Sequence, residues 1–409
     1  MRHPASHLFE FTPDTLRAWC AQRSMPPFRA AQILEWVYRK GIVDPAKMTN
    51  LAARDRQTLA SDMTFLSGAT VAERTATDGT RKLLIEWTDY SETSAESALA
   101  PTSRPLTVLA PPSPTTCSAE SPGETPGDPD RQTECVMIPA LDEEAGVITR
   151  KTACISSQVG CPVGCRFCAS GMGGLAGNLS AGRIIEQVWR LQHLPGVERI
   201  TNVVFMGMGE PLANFKAVAH AVRTLSAPWG MGISARKITI STVGLPKAIE
   251  RLAAELEVPV TLALSLHAPN DELRRRLIPW AEYTTIADLL AACQKWFDKT
   301  GREVTLEYTL LRGVNDRPEH ADQLSRVART LRANVNLIRY NEVPGLGIDG
   351  RDFKRPRRDD VLAFQAILRA RGVNTHIRRS RGRDIAAACG QLRHEHASGR
   401  SSDRSKASA

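Results

Sequence analysis

Residues 154–171 read CISSQVGCPVGCRFCASG and place Cys161, Cys165 and Cys168 at the spacing C-x3-C-x2-C. No fourth cysteine follows at a spacing that would complete the set. A four-iron cube needs one protein ligand per iron, usually four thiolates. Three leave one iron open to an exogenous chelating ligand, so the spacing describes a reactive centre and not an inert electron carrier. Pro162 and Gly164 break any regular element here, and a tight loop lets three thiolates converge on a small inorganic core. Structural zinc is the plainer alternative, with Cys154 as a fourth thiol. Such sites usually pair C-x2-4-C elements across a separation that is absent here.

Outward from this loop, strand and helix signals alternate from about Glu134 onward. Strands are predicted near Thr152 to Ser156, Ile200 to Met206, Lys237 to Ser241, Pro259 to Leu266, Val304 to Leu310 and Val335 to Tyr340. Amphipathic stretches such as SAGRIIEQVWRLQHL (180–194) and TIADLLAACQKWFDKTG (285–301) lie between them. Six such units imply an α/β fold on a parallel sheet, a partial (βα)6 barrel smaller than the closed eight-unit form. Chemistry in such folds collects at the C-terminal ends of strands. The cysteine loop follows the first strand and precedes a helix capped by Ser180, where that rule places an active site.

Before the sheet, TPDTLRAWCAQRS (12–24) opens with a Thr cap and Pro. FRAAQILEWVYRKG (28–41) sets Ile33, Leu34, Val37 and Tyr38 on one helical face and stops at Gly41. A strand follows the Asp78-Gly79 turn in DGTRKLLIEWTDY. Residues 91–131 carry no aromatic residue and are dominated by Ser, Thr, Pro, Ala and Gly, too little to repay the entropy of ordering. The expected division is a small, largely helical accessory module at 1–90, a disordered low-complexity insertion at 91–131, the α/β core at 132–395 and a disordered basic tail at 396–409. The formal charge of +9 points to a polyanionic partner without specifying it. Nine cysteines, an odd number gathered mainly near one loop, suit cofactor ligation in a reducing compartment, and the cytoplasm is expected. The N-terminal residues show no apolar signal region, and no run reaches the ~18 apolar residues of a membrane span.

Further strings sit at successive strand ends: VVFMGMGEPLANF (203–215), KITISTVGLP (237–246), LALSLHAPND (262–271), LIRYNEVPG (337–345) and RGRDIAAACGQL (381–392). With these and the cysteine motif the chain resembles the radical S-adenosylmethionine (SAM) enzymes, in which SAM chelates the open iron and one-electron reduction yields a 5'-deoxyadenosyl radical. More closely, from about Phe28 to Leu392, it resembles the RlmN-type dual-specificity RNA (adenine-C2)-methyltransferases. The resemblance implies one 4Fe-4S cluster per chain on Cys161, Cys165 and Cys168. It also implies SAM contacts at Gly209, Glu210, Ser241, Ser265, Leu266, His267 and Asn341. Without the family, a carboxylate and small polar groups at strand ends could still hold the amine and ribose of a nucleoside-like ligand. Taken singly, the GMGEP run is an ordinary strand-ending turn and His267 a hydrogen-bonded scaffold histidine.

The same resemblance casts Cys389 as a methyl carrier. One SAM methylates it, the radical from a second SAM abstracts hydrogen from the S-methyl group, and the resulting methylene radical adds to adenine C2. Adenine C2 is electron-poor and lacks a nucleophilic lone pair, which makes direct polar transfer from a sulfonium unsuitable. Cys154 is implied as the resolving thiolate that forms a disulfide with Cys389 and frees the RNA, and Glu134 as the base that removes the C2 proton. By sequence alone Cys389 is a small buried helix residue, Cys154 a buried strand thiol and Glu134 a solvated charge at a linker edge. Cys135 stands where the family more often has Ser or Thr, and LDEEAG (141–146) lengthens the segment before Cys154.

Arg378, Arg379, Arg381 and Arg383 stand immediately before Cys389, where substrate phosphates could be held. The implied substrates are adenine 2503 of 23S rRNA and adenine 37 of tRNA, unpaired bases that can leave their stack. A one-electron reductase such as flavodoxin is the implied protein partner, and a monomer is expected. Two rivals stand beside this reading: a Cfr-type adenine-C8 methyltransferase, and a noncatalytic metal-containing RNA-binding adaptor that consumes no SAM.

Overall fold

The computed structural model describes residues 2–90, 128–142, 147–378 and 381–385. Most of the low-complexity segment with Cys117, and Arg379, Cys389 and the basic tail, lie outside the described residues.

Fourteen strands occur among the described residues: β1 (Gly68–Thr75), β2 (Arg81–Trp87), β3 (Gln132–Asp142), β4 (Val147–Cys154), β5 (Gln158–Gly160), β6 (Leu175–Asn178), β7 (Asn202–Phe205), β8 (Ile238–Thr242), β9 (Thr261–Ser265), β10 (Val304–Leu310), β11 (Ala333–Arg339), β12 (Gly347–Ile348), β13 (Arg351–Asp352) and β14 (Thr375–Arg378). Ten form one sheet in the order β1-β2-β3-β4-β7-β8-β9-β10-β11-β14. From β4 to β14 every neighbour is parallel, as the alternating pattern predicts. The sheet goes beyond the six expected units at both ends. β14 adds a seventh parallel strand, and β1, β2 and β3 extend the other edge as antiparallel neighbours. Glu86 of β2 faces Gln132 of β3, so the low-complexity segment connects two adjacent antiparallel strands.

The strands alternate in chemistry, and that alternation shapes the barrel. Parallel strands covered on both faces usually read as continuous apolar runs. Here Ile238, Ile240, Leu262, Leu264, Leu306, Tyr308, Val335 and Leu337 enter the hydrophobic core. The intervening Thr239, Thr261, Thr305, Glu307, Thr309, Asn334 and Asn336 line a cavity of about 1360 Å³. The apolar face is covered by helices between the strands, among them α4 (Ala181–Gln192), α5 (Phe215–Ser226), α6 (Pro246–Glu255), α7 (Asp271–Leu277), α8 (Ile286–Thr300), α9 (Pro318–Arg329) and α10 (Arg358–Ala370). The hollow side, which Val136, Ile138, Val204 and Ile377 also border, is open to a ligand.

The N-terminal helices α1 (Pro13–Gln22), α2 (Arg29–Leu34) and α3 (Ala53–Asp62) pack as expected. Thr12 caps α1, accepting from the Thr15 amide. Ile33, Leu34, Val37 and Tyr38 are buried, with the turn after α2 widened into a π-helical segment over Glu35–Arg39. This layer sits against α4, which explains why even Arg183, Glu186 and Gln187 are buried there. Gly182 is required by the contact, because a Cβ would lie 2.5 Å from the His7 ring. Glu186 joins the two layers: its carboxylate pairs with His7 Nε2 at 3.1 Å and with Arg190, and accepts from the Ser67 and Gly68 amides and the Ser67 hydroxyl.

Burial raises the Glu186 carboxyl, but His7, Arg190 and the Ser67 amide outweigh it and hold it below the ordinary carboxylate value. A depressed carboxylate contributes stability that is present above its unfolded pKa and lost as pH falls through the folded one. Glu186→Ala leaves buried donors without their acceptor and is expected to lower unfolding stability by about 3–5 kcal/mol, measured by urea denaturation at neutral pH. The difference between wild type and variant should shrink progressively below about pH 4, the unfolded carboxylate range.

Candidate active site

The cysteine loop is tied at its base by the β5–β6 pair, with the Cys161 amide donating to the Gly174 carbonyl at 2.8 Å. Gly160 (φ +75°) permits this closure, since a Cβ would lie 2.0 Å from that carbonyl oxygen. Inside the loop the Cys168 amide donates to Cys165, and the Arg166 amide donates to Leu277 at the end of α7. The three thiols lie in one another's fields. Burial first, with those neighbours adding, pushes Cys161 up to about 12 and Cys165 well above its ordinary value. Such thiols ionise together only if positive charge joins them, which suits an iron-sulfur cube. The donor set therefore fits the cluster.

The loop after β7 is bonded to the cysteine loop. The Gly207 amide donates to Ile155, the Ser157 amide to Met208, and the Met208 amide to the Ser156 hydroxyl at 2.9 Å. Gly209 (φ +102°) fits because a Cβ would sit 2.6 Å from Gln158 Cβ. The Glu210 carboxylate ties two strand ends together. That buried carboxylate accepts from the Leu212 amide at 3.0 Å and the Val243 amide at 2.8 Å, joining the ends of β7 and β8. Burial raises its pKa against those hydrogen bonds and that of Thr242.

At the next two strand ends, the Ser241 and Ser265 hydroxyls meet at 3.2 Å. Leu266 and His267 form a bulge in which both amides reach the Glu307 carbonyl, and His267 takes φ +57°. His267 Nδ1 accepts from the Thr309 amide at 3.0 Å, so its neutral ring carries the proton on Nε2. Burial, with Arg274 nearby, lowers its pKa to about 3. The ring lies 5.0 Å, edge to face, from Phe167 of the cysteine loop. Asn341 follows β11 beside the cavity, its side-chain oxygen accepting from Arg355 at 2.8 Å.

Cys154 ends β4, buried, and lines the same cavity as Phe167 and Cys168. Cys389 lies outside the described residues. Glu134 is not a solvated linker charge: it is in β3, 2% exposed, and pairs with fully buried Lys82 of β2 at 2.7 Å. Its strand neighbour Val136 stands opposite Cys154, and both border the cavity. Arg378 and Arg381 line the cavity too, and Arg378 donates to the Met206 sulfur at 3.6 Å, spanning from the last parallel strand to the second. Sequence reading missed Lys82, Glu307 and Asn336. Their only signal was a polar residue at alternate positions of a strand.

Residues 155–324 match the family model of the radical SAM superfamily, and this is the class of enzyme to which the chain belongs. Residues 6–64 match the ribosomal RNA large subunit methyltransferase N-terminal domain. The chain is 39% identical over 389 residues to a probable dual-specificity RNA methyltransferase RlmN of Rhodopirellula baltica, covering 95% of this chain and 91% of that one. It is 42% identical over 370 residues to the protein so named in Symbiobacterium thermophilum, covering 90% and 86%. A solved radical SAM methyltransferase from Sphaerobacter thermophilus superposes with a TM-score of 0.78 at 38% identity, covering 94% of this chain and 98% of that one. The chain belongs to the RlmN family of dual-specificity radical SAM RNA methyltransferases.

Lys82→Met places the buried Glu134 carboxylate beside a neutral chain and is expected to cost about 3 kcal/mol in urea denaturation. Lys82→Met with Glu134→Gln should regain most of that loss, because neither charge then remains; no recovery would mean that the ion pair is not the source of the effect.

Proposed function

We propose that the chain methylates C2 of unpaired adenines, adenine 2503 of 23S rRNA and adenine 37 of tRNA, with Cys389 as methyl carrier. The observation that carries this reading is Cys154 at the end of β4, buried at the wall of the cavity that Cys168 also borders. Cys161, Cys165 and Cys168 hold the cluster, and SAM is held by Gly209, Glu210, Ser241, Ser265, Leu266, His267 and Asn341. When bound, the cluster and SAM supply a one-electron cleavage that yields a carbon radical able to take hydrogen from a thioether methyl.

The chain's own residues supply the remaining steps. Cys389 carries the one-carbon unit as a thioether and presents it to the adenine. Glu134 takes the C2 proton, and the adduct's unpaired electron passes to the one-electron carrier. The Cys154 thiolate then attacks the Cys389 sulfur: the disulfide forms as the sulfur–methylene bond breaks, and the electron pair left on the methylene carbon takes a proton, releasing the RNA as its methyl product. Arg378 and Arg381 at the cavity wall are placed to meet phosphate. The N-terminal module at 1–90 contributes RNA binding, with 91–131 an insertion, 132–395 the catalytic core and 396–409 a tail. The enzyme works as a cytoplasmic monomer with a one-electron reductase such as flavodoxin. No helix among the described residues is long and apolar enough to cross a membrane.

Anaerobic turnover with reconstituted cluster, reductant, methyl-labelled SAM and a 23S rRNA fragment, followed by nucleoside mass spectrometry, is expected to give 2-methyladenosine with 5'-deoxyadenosine. Finding 8-methyladenosine would overturn the C2 assignment. Cys389→Ala should abolish labelled product while retaining the cluster absorbance, and Cys154→Ala should accumulate a covalent protein-RNA adduct visible on a denaturing gel. Normal product from Cys389→Ala would sink the carrier role.

A further inference from the structure

The buried carboxylates of the barrel and its flanking layers differ in how fully they are satisfied. Glu210 accepts from two backbone amides, Glu186 from several donors, Glu134 pairs with Lys82 at 2.7 Å, and Asp55 pairs with Arg29 at 2.8 Å. Among the described residues Glu307, 4% exposed, accepts only from the Asn336 amide, at 3.2 and 3.0 Å to its two oxygens. An ionised carboxylate offers about four lone-pair sites, and leaving them unfilled in a buried position is costly. Burial raises the Glu307 carboxyl, with Arg378 and Asn336 pulling the other way, but Arg378 forms no ion pair with it among the described residues.

The position of Glu307 turns this deficit toward a ligand. It borders the cavity at the middle of β10, in register with Ser265 on one side and Asn336 on the other. Its own carbonyl holds the Leu266 and His267 amides, so its side chain stands beside the strand end assigned above to SAM. Thr305 and Thr309 flank it on the same wall. A carboxylate accepts and cannot donate, and the Asn336 amide donates to it. The wall therefore asks for a ligand with N–H groups.

We propose that Glu307, held in place by Asn336, receives the exocyclic amine of the target adenine and makes the site selective for a 6-amino purine. This rests on the proposed function. A pocket built around a substrate N–H strongly rejects an analogue that lacks it, because its own polar group is then left unpaired.

The test uses reconstituted holoenzyme and RNA hairpins carrying either adenine or unsubstituted purine at the target position, both of which offer C2–H. Wild type is expected to prefer adenine in kcat/KM by about 10- to 100-fold. Glu307→Leu should bring that ratio to within about threefold of one, while SAM binding in equilibrium dialysis stays unchanged. The ratio cancels the fraction of each preparation that is folded and loaded. If Glu307→Leu fails to take up its cluster, Glu307→Gln carries the test: a neutral acceptor in place of a charged one should lower the ratio about three- to tenfold. Equal use of both hairpins by wild type, an unchanged ratio in the variant tested, or loss of SAM binding would each overturn the assignment. Absence of methylated adenine from wild type itself would instead count against the proposed function.

Discussion

Everything in this molecule depends on holding three thiols together, two of which, Cys161 and Cys165, are kept from ionising by burial and by their neighbours' charge. The loop that carries them is short, and its backbone is consumed in closing it: β5 pairs with β6, Cys161 reaches Gly174, and Gly160 leaves room for the carbonyl that a side chain would displace. The support reaches outward. Ile155, Ser156 and Ser157 at the loop's start bond the turn after β7, and Gln158 accepts the Glu210 amide. Glu210 then fastens the turn after β8. The glycines of the GMGEP run are packing requirements of this junction.

The second constraint is the period-two chemistry of the strands. Ile, Leu and Tyr on one face bury the helices, while Thr, Asn and Glu on the other leave an interior that apolar side chains do not fill. One alternation thus makes both the stability of the sheet and the volume of the site. It also explains why the residues that close the site are loops: a filled barrel would need no His267 bulge or Asn341 corner at its rim.

What was legible in the sequence was whatever local pattern decides. The six parallel strands fall where their apolar runs stand, the cysteine loop follows the first of them, and Thr12 and Ser180 cap the helices they precede. Partnerships across long separations were hidden. Nothing in GTRKLLIEW reveals that Lys82 meets Glu134, since the residues between them include the low-complexity segment, and without that partner a glutamate beside it reads as solvated. The four-residue β14 is too short to announce itself, and nothing local shows that the Glu210 carboxylate accepts the Val243 amide.

The open barrel is finally closed by its last segment. β14 and β1 are the two edges of the sheet, yet the Gly382 amide donates to Asp78 and the Thr77 amide to Asp384, so the chain after β14 reaches the β1–β2 turn. An edge strand left alone exposes its hydrogen-bonding groups, and covering it with following chain is one remedy. Of the antiparallel strands sequence reading foresaw only β2; β3 sets Val136 opposite Cys154 at the cavity wall, and the β1–β2 turn holds the chain that follows β14.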